Sequence, residues 1–137
     1  MSGNLYEQEG YNLMGAAFEV YNEMGNGYLE EVYQECLELE LESRHIAFAS
    51  KAELTIHYKG RPLRKKYVPD LRVCGELVVE LKAVKQLAPE HEAQLLNYPK
   101  ATGNPVGYLI NFGSANKLEW KRMVRTDKPP MDANQHS

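Results

Sequence analysis

The sequence predicts an α/β domain of the α+β type, in which a mixed central sheet is flanked by helices. Apolar residues recur at helical spacing over residues 5–44, which indicates two amphipathic helices. After Ile46 the apolar residues alternate or run together in short segments, which is typical of strands. One more helical pattern interrupts these segments. The predicted order is therefore α-α-β-β-β-α-β-β. Antiparallel strands joined to one crossover helix form a mixed sheet with helices packed on it.

The two opening helices are predicted over residues 5–24 and from residue 29 to near 44–45, since each segment places its apolar residues on one face. Residues 25–27, Gly-Asn-Gly, interrupt this pattern as a helix C-cap and turn would. A third helix is expected to begin near Pro89, because proline suits the first helical turn, and to be ended by Pro99 and Gly103.

Five strands are predicted, over residues 53–58, 61–73, 76–84, 106–112 and 118–124. The Lys59-Gly60 turn makes a hairpin of the first two, and Gly75 turns the chain into the third. The fourth is apolar throughout, as expected for a strand buried in the centre of a sheet.

The bulk composition favours one soluble domain. The length of 137 residues fits a single domain, predicted over residues 1–125, followed by a flexible tail over 126–137. No apolar run is long enough for a membrane span, and the N-terminus does not resemble a signal peptide. Cys36 and Cys74 lack metal-type spacing, which favours a reducing compartment. A cytoplasmic location is therefore expected.

Charge is distributed unevenly along the chain. The net charge is −3, but residues 1–50 carry ten acidic side chains against a single Arg44. The basic remainder leaves room for a phosphate-attracting face. The candidates lie around the predicted hairpin: Lys59, Arg61, Arg64, Lys65 and Lys66. A solvated hairpin that carries lysines against aggregation explains them about as well.

Charged residues interrupt the third predicted strand. Glu80 and Lys82 share one face, since side chains alternate along a strand. An exposed ion pair explains them on their own. Asp70, however, follows Pro69 on the preceding strand, and pairing across the turn at Gly75 brings it beside Glu80. Two carboxylates that close repel unless a cation or a proton lies between them, and such oxygen ligands suit Mg²⁺.

Pro69-Asp70 and Glu80-Leu81-Lys82 resemble the signature of the PD-(D/E)XK nuclease superfamily. More narrowly, residues 27–33 match the GxxExxY motif of a family of small bacterial proteins placed in that superfamily. Further stretches are similar to that family in order and spacing: 58–60, 80–83, 91–98, 101–103 and 111–113. The resemblance covers roughly residues 5–125 and implies a restriction-endonuclease-like fold.

The resemblance also implies roles for individual residues. Asp70 and Glu80 would bind the metal directly, with the Leu81 carbonyl as a third ligand, and Glu30 would reach it, often through water. Lys82 would be the catalytic lysine. Without the motif, Glu30 is simply a first-turn carboxylate that favours its helix N-terminus.

Four supporting residues complete the expected site. Gln94 and Tyr98 match the Q-x3-Y pattern of RecB-like members, and His91 lies on the same side of the predicted helix. Gln94 could equally be a surface amide and His91 an incidental first-turn residue. Tyr33 belongs to the GxxExxY motif, and we expect it in the core rather than in catalysis.

The expected function is hydrolysis of nucleic-acid phosphodiester bonds by a metal-activated water, with Mg²⁺ or Mn²⁺ as cofactor and DNA favoured over RNA. The overall acidity fits poorly with tight, sequence-indifferent DNA binding, which draws its affinity from phosphate neutralisation. The alternative is a catalytically silent module that keeps the nuclease fold and binds nucleic acid or protein. A homodimer with two sites is a further hypothesis.

Overall fold

The computed structural model describes residues 6–124, except for the side chains of residues 98–102, so the predicted tail over 126–137 lies outside the described residues. The elements are α1 (Glu7–Met24), α2 (Glu30–Ser43), β1 (Phe48–Ser50), β2 (Leu54–Tyr58), β3 (Arg61–Tyr67), β4 (Leu71–Val73), β5 (Leu77–Lys82), α3 (Pro89–Thr102), β6 (Val106–Asn111) and β7 (Glu119–Val124). Within this part of the chain, no helix is long and apolar enough to cross a membrane.

The central sheet has five strands in the order β1-β4-β5-β6-β7. The β5–β6 pair is parallel, and α3 makes the crossover between these two strands; the other pairs are antiparallel. Strands β2 and β3 form a separate antiparallel hairpin. The predicted fold class, a mixed sheet flanked by helices, is confirmed.

Three details of the sequence interpretation are corrected. The strand predicted over 61–73 is two strands in different sheets, because Pro69 has no N–H to donate to a ladder and the chain leaves β3 before β4 begins. The short strand β1 was not predicted. Helix α3 continues through Pro99 and ends at Thr102, so this proline removes one backbone donor without ending the helix, whereas Gly103 follows its end as predicted.

The two faces of the central sheet bury different elements. Leu77, Val79 and Leu81 of β5 join the core formed with α1 and α2. Val78 joins the second core, which includes side chains of the β2–β3 hairpin, α3 and Leu109. Because side chains alternate along a strand, the charged residues that end β5 lie on the same side as Val78, under the hairpin and α3.

A buried amide holds the end of β5 against the turn after β6. The Asn111 side chain accepts a hydrogen bond from Val84 N at 2.9 Å and donates one to Val84 O at 2.9 Å. Its Oδ1 also accepts from Gly113 N at 3.0 Å. The two chain segments therefore run side by side with main-chain atoms in contact.

We expect Gly113→Ala to destabilise the protein by about 1 to 3 kcal/mol, because the added Cβ would lie 2.4 Å from Val84 O and the neighbour is rigid backbone. Gly15→Ala is the matched control, since its Cβ would meet only the mobile end of Arg44, at 3.1 Å. Alanine is also the better helix former, so the control should keep or gain stability. Urea unfolding measures both, and equal midpoints for the two variants would contradict the packing argument.

Candidate active site

The site lies where the pairing of β4 with β5 ends in the central sheet, which we call the fork. The β4–β5 ladder ends at the pair Leu71 and Val79, so Asp70 stands opposite Glu80 just beyond the last pair. In the place of a continuing strand, Asp70 Oδ2 accepts a hydrogen bond from Leu81 N at 2.7 Å. The structure thus brings the Asp70 and Glu80 carboxylates together, as the hairpin argument predicts.

Glu80 is a half-buried carboxyl in a mixed environment. Burial raises its pKa to about 7, and the Tyr67 hydroxyl, which donates a hydrogen bond to Glu80 Oε2, opposes that rise. The Asp70 carboxylate raises the pKa further, whereas the charge of Lys82 lowers it. A carboxyl pair of this kind is neutralised by a shared proton or by a bound cation.

Asp70 is held in place by its neighbours at the main chain as well as at its side chain. Gln34 Nε2 on α2 and Lys51 N after β1 both donate to Asp70 O, at 2.8 and 3.2 Å. The Lys51 ammonium lies 3.1 Å from Asp70 Oδ1. This hydrogen bond raises the pKa of Lys51, burial opposes the rise, and the charges of Asp70, Glu80 and Glu30 add to it.

Glu30 is the first residue of α2 and is exposed. It lines a cleft of about 700 Å³ together with Asp70, Leu81 and Lys51. Across the described part of the chain, no group of three acidic, His or Cys side chains is close enough to hold a metal ion. Glu30 therefore shares the cleft without completing a three-carboxylate cluster, a placement in keeping with contact through water.

Tyr33 is buried in the core, as expected, and shapes the loop before α2. Its ring stacks on Phe112 with a centroid separation of 4.7 Å. Its hydroxyl donates to Gly25 O at 2.5 Å and accepts from Tyr28 N at 3.2 Å. These bonds fix the turn that begins α2, and so set the position of Glu30.

The oxygen atoms at the fork fit a hard divalent cation. Lys82 O accepts from Phe112 N at 2.8 Å, so it points toward β6. Because main-chain groups alternate sides along a strand, Leu81 O points the other way, toward Asp70. Two carboxylates and one carbonyl are ligands that suit Mg²⁺ or Mn²⁺. Asp70 and Leu81 line the cleft that Glu30 shares, and Glu80 lines a cavity on the hairpin side. On this structural test the residues fit such an ion.

A second cavity, of about 340 Å³, adjoins Glu80 on the hairpin side. Lys65 and Lys66 of β3 and Gln94 of α3 line it. Part of the predicted basic cluster and the predicted amide therefore lie next to the carboxylate pair. Lys59, Arg61 and Arg64 are exposed elsewhere on the hairpin, where Lys59 lies 5.5 Å from the centre of the Tyr58 ring.

The remaining predicted residues take different places. His91 Nδ1 accepts a hydrogen bond from Ala88 N at 3.0 Å, so its ring caps the start of α3. The side chain of Tyr98 lies outside the described residues. The supporting roles of His91 and Tyr98 remain predictions.

Lys51, Tyr67 and Gln34 also contact the carboxylate pair or its backbone, and the sequence interpretation missed them. Gln34 follows Glu30 by four residues, so helical spacing could have placed both on one face of α2. Lys51 follows a strand too short to be recognised. Tyr67 ends β3, which was predicted to form one continuous strand with β4.

The architecture is shared with one solved structure. A solved structure described as SSO0001 has a TM-score of 0.55 and 15% identity, covering 96% of this chain; the chain spans 65% of that protein's length. An alkaline exonuclease (LHK-Exo) from Laribacter hongkongensis has a TM-score of 0.46 and 12% identity, covering 99% of this chain and 77% of the exonuclease. No curated protein matches the sequence. The family model of the PD-(D/E)XK nuclease superfamily matches residues 7–123, and the chain belongs to that superfamily.

Proposed function

We propose that this protein is a nuclease that hydrolyses nucleic-acid phosphodiester bonds with the help of Mg²⁺ or Mn²⁺. The observation that carries the proposal is the pairing of Asp70 with Glu80 at the β4–β5 fork, with Lys82 on the same face of β5 as Glu80. Superfamily membership supports the reaction class. Within the superfamily, the motif over residues 27–33 supports assignment to the GxxExxY group.

Each residue of the site has a proposed task. Asp70, Glu80 and the Leu81 carbonyl hold the ion, and Glu30 contributes through water. Such an ion lowers the pKa of water and offsets negative charge on phosphate. Lys82 supplies a further positive charge close to Glu80, where it can orient the phosphate and stabilise the charge that develops in the transition state.

The proposed path of the nucleic acid runs along the hairpin side of the site. Lys65, Lys66 and Gln94 line the cavity that adjoins Glu80, so a phosphate backbone bound there would pass beside the carboxylates. The exposed cations at Lys59, Arg61 and Arg64 would extend this contact. DNA as the preferred substrate, a homodimer and a cytoplasmic location remain predictions.

Incubation of the purified protein with end-labelled DNA and RNA, each single-stranded, duplex and branched, tests the proposal. We expect cleavage in Mg²⁺ or Mn²⁺ and none in EDTA. Cleavage that persists in EDTA, or no cleavage of any substrate with either ion, would contradict it. Sedimentation velocity on the same preparation tests the homodimer, which a single monomer species would exclude.

A catalytically silent binding module is the second candidate. It is favoured by the state of Asp70, whose two carboxylate oxygens already have partners in Lys51 Nζ and Leu81 N. A Mn²⁺ titration separates the candidates, because a pure scaffold should bind no divalent ion at this place. A nuclease site should bind Mn²⁺ and should lose it when Asp70 is changed.

Glu80 should make the stability of the metal-free protein depend on pH. Its pKa is about 7 in the folded chain and 4.5 without the fold, so the folded state holds a proton between these values that the unfolded state releases. The free energy of unfolding therefore falls as pH rises from about 4.5 to about 7. Glu80→Gln removes this pH-dependent loss of stability and keeps an oxygen that accepts the hydrogen bond from the Tyr67 hydroxyl. Relative to the wild type, we expect the variant to gain about 1 to 3 kcal/mol between pH 5 and pH 8.

Urea unfolding in EDTA at the two pH values measures the effect. Glu42→Gln is the control, because Glu42 is exposed at the far end of α2. An equal difference between wild type and Glu80→Gln at both pH values would contradict the raised pKa of Glu80.

A further inference from the structure

Lys51 contacts the candidate metal ligand Asp70 through its main chain and through its side chain. Its main-chain N donates to Asp70 O at 3.2 Å, and its ammonium lies 3.1 Å from Asp70 Oδ1. Its φ of +55° lies in the left-handed region, which costs energy for a residue that has a Cβ. The backbone is thus held in an unfavourable conformation at the point where the side chain reaches the site.

The cleft that Lys51 enters is strongly acidic. Its lining includes Asp70 and four glutamates of α2: Glu30, Glu31, Glu35 and Glu38. Of the described residues that line the cleft, Lys51 alone carries a positive charge. The Lys51 ammonium therefore lies where a divalent cation would also reduce the repulsion among these carboxylates.

We propose that Lys51 is the resident counter-ion of the site, which neutralises Asp70 in the metal-free protein and leaves its place when a divalent cation binds. The inference rests on the proposed function, since it takes Asp70 as a metal ligand. The exposure of the two side chains supports it: Lys51 is 58% exposed and Asp70 is 17% exposed. The ammonium can swing into the open cleft while Asp70 stays fixed by its bond to Leu81 N.

Exchange of one cation for another has two measurable consequences. The bound ion must compete with the ammonium, so removal of the ammonium should tighten metal binding. The ammonium also offsets the charge of Asp70 when no ion is present, so its removal should destabilise the metal-free protein more than the metal-loaded protein. A lysine that served only to brace the loop would destabilise both forms alike and would leave the affinity unchanged.

The test is a calorimetric Mn²⁺ titration of the wild type, Lys51→Met and Lys51→Arg, with melting temperatures in EDTA and in saturating Mn²⁺. We expect Lys51→Met to bind Mn²⁺ about twofold to fivefold more tightly, as the loss of a partly exposed ion pair would give. Its melting temperature should fall in EDTA and match the wild type in Mn²⁺. Lys51→Arg, which keeps the charge, should stay near the wild type. Lys117→Ala controls for net charge, because Lys117 is exposed in the loop before β7.

If the wild type binds Mn²⁺ and Lys51→Met binds it equally or more weakly, the counter-ion role is overturned and the proposed nuclease function stands. If neither protein binds Mn²⁺, both proposals fall. Should Lys51→Met not fold in EDTA, Lys51→Gln keeps a neutral donor for Asp70 and carries the same expectation of tighter binding.

Discussion

Lys82→Ala is expected to lower the rate of cleavage by about a hundredfold to a thousandfold, the size of effect seen when one group that stabilises transition-state charge is removed. Lys82 lies beside Glu80 on β5, close enough for its charge to lower the pKa of that carboxyl. It is not among the proposed ligands, so the affinity for Mn²⁺ should not weaken. Single-turnover cleavage together with a Mn²⁺ titration measures the two effects separately.

Two further variants sharpen the Lys82 experiment. Lys82→Arg restores the charge but not the compact ammonium, so we expect only partial recovery of the rate. Lys117→Ala removes a lysine that is exposed outside the site and should cleave like the wild type. Cleavage by Lys82→Ala at the wild-type rate would assign the activity to another group or to a contaminant.

Asp70→Asn is expected to weaken Mn²⁺ binding by at least about a hundredfold and to abolish cleavage. Changes to residues that merely support metal ligands already cost 10- to 100-fold, so loss of a charged ligand should cost at least as much. Asparagine keeps an oxygen that can accept the hydrogen bond from Leu81 N, so the fork should still form. Calorimetry gives the affinity, and circular dichroism checks the fold.

The control for Asp70→Asn is Glu42→Gln, which removes an exposed carboxylate from the opposite end of α2 and should leave Mn²⁺ binding unchanged. Retention of wild-type affinity by Asp70→Asn would show that the ion binds elsewhere, and the proposed site would have to be abandoned.

The carboxylate pair could be predicted because it depends on short-range geometry. Glu80 and Lys82 share a face by the alternation of a strand, and Asp70 is only ten residues away across a tight turn. The strands that could not be predicted are those without a readable pattern. Strand β1 has only three residues. Strand β3 is rich in exposed cations and lacks a clear alternation of apolar and polar residues, so the break between β3 and β4 could not be detected.

The contributions of Lys51 and Glu30 depend on tertiary packing. Lys51 reaches Asp70 because β1 pairs with β4, an arrangement that brings together residues 19 positions apart. Glu30 enters the cleft because Tyr33 and Phe112 stack and hold the start of α2 over the sheet. Neither contact follows from periodicity, and only the resemblance of residues 27–33 to a known motif drew attention to Glu30.

The short length of β4 has a consequence for how the protein could evolve. Three residues of β4 pair with β5, and beyond them the Asp70 carboxylate accepts the hydrogen bond from Leu81 N. If β4 grew backward through position 69, new main-chain hydrogen bonds would cover the edge at Leu81 and displace the carboxylate. A more regular sheet would then lose the proposed metal ligand, so selection for the proposed site would oppose selection for rigidity at this point. Pro69, which cannot donate a ladder bond, blocks that extension.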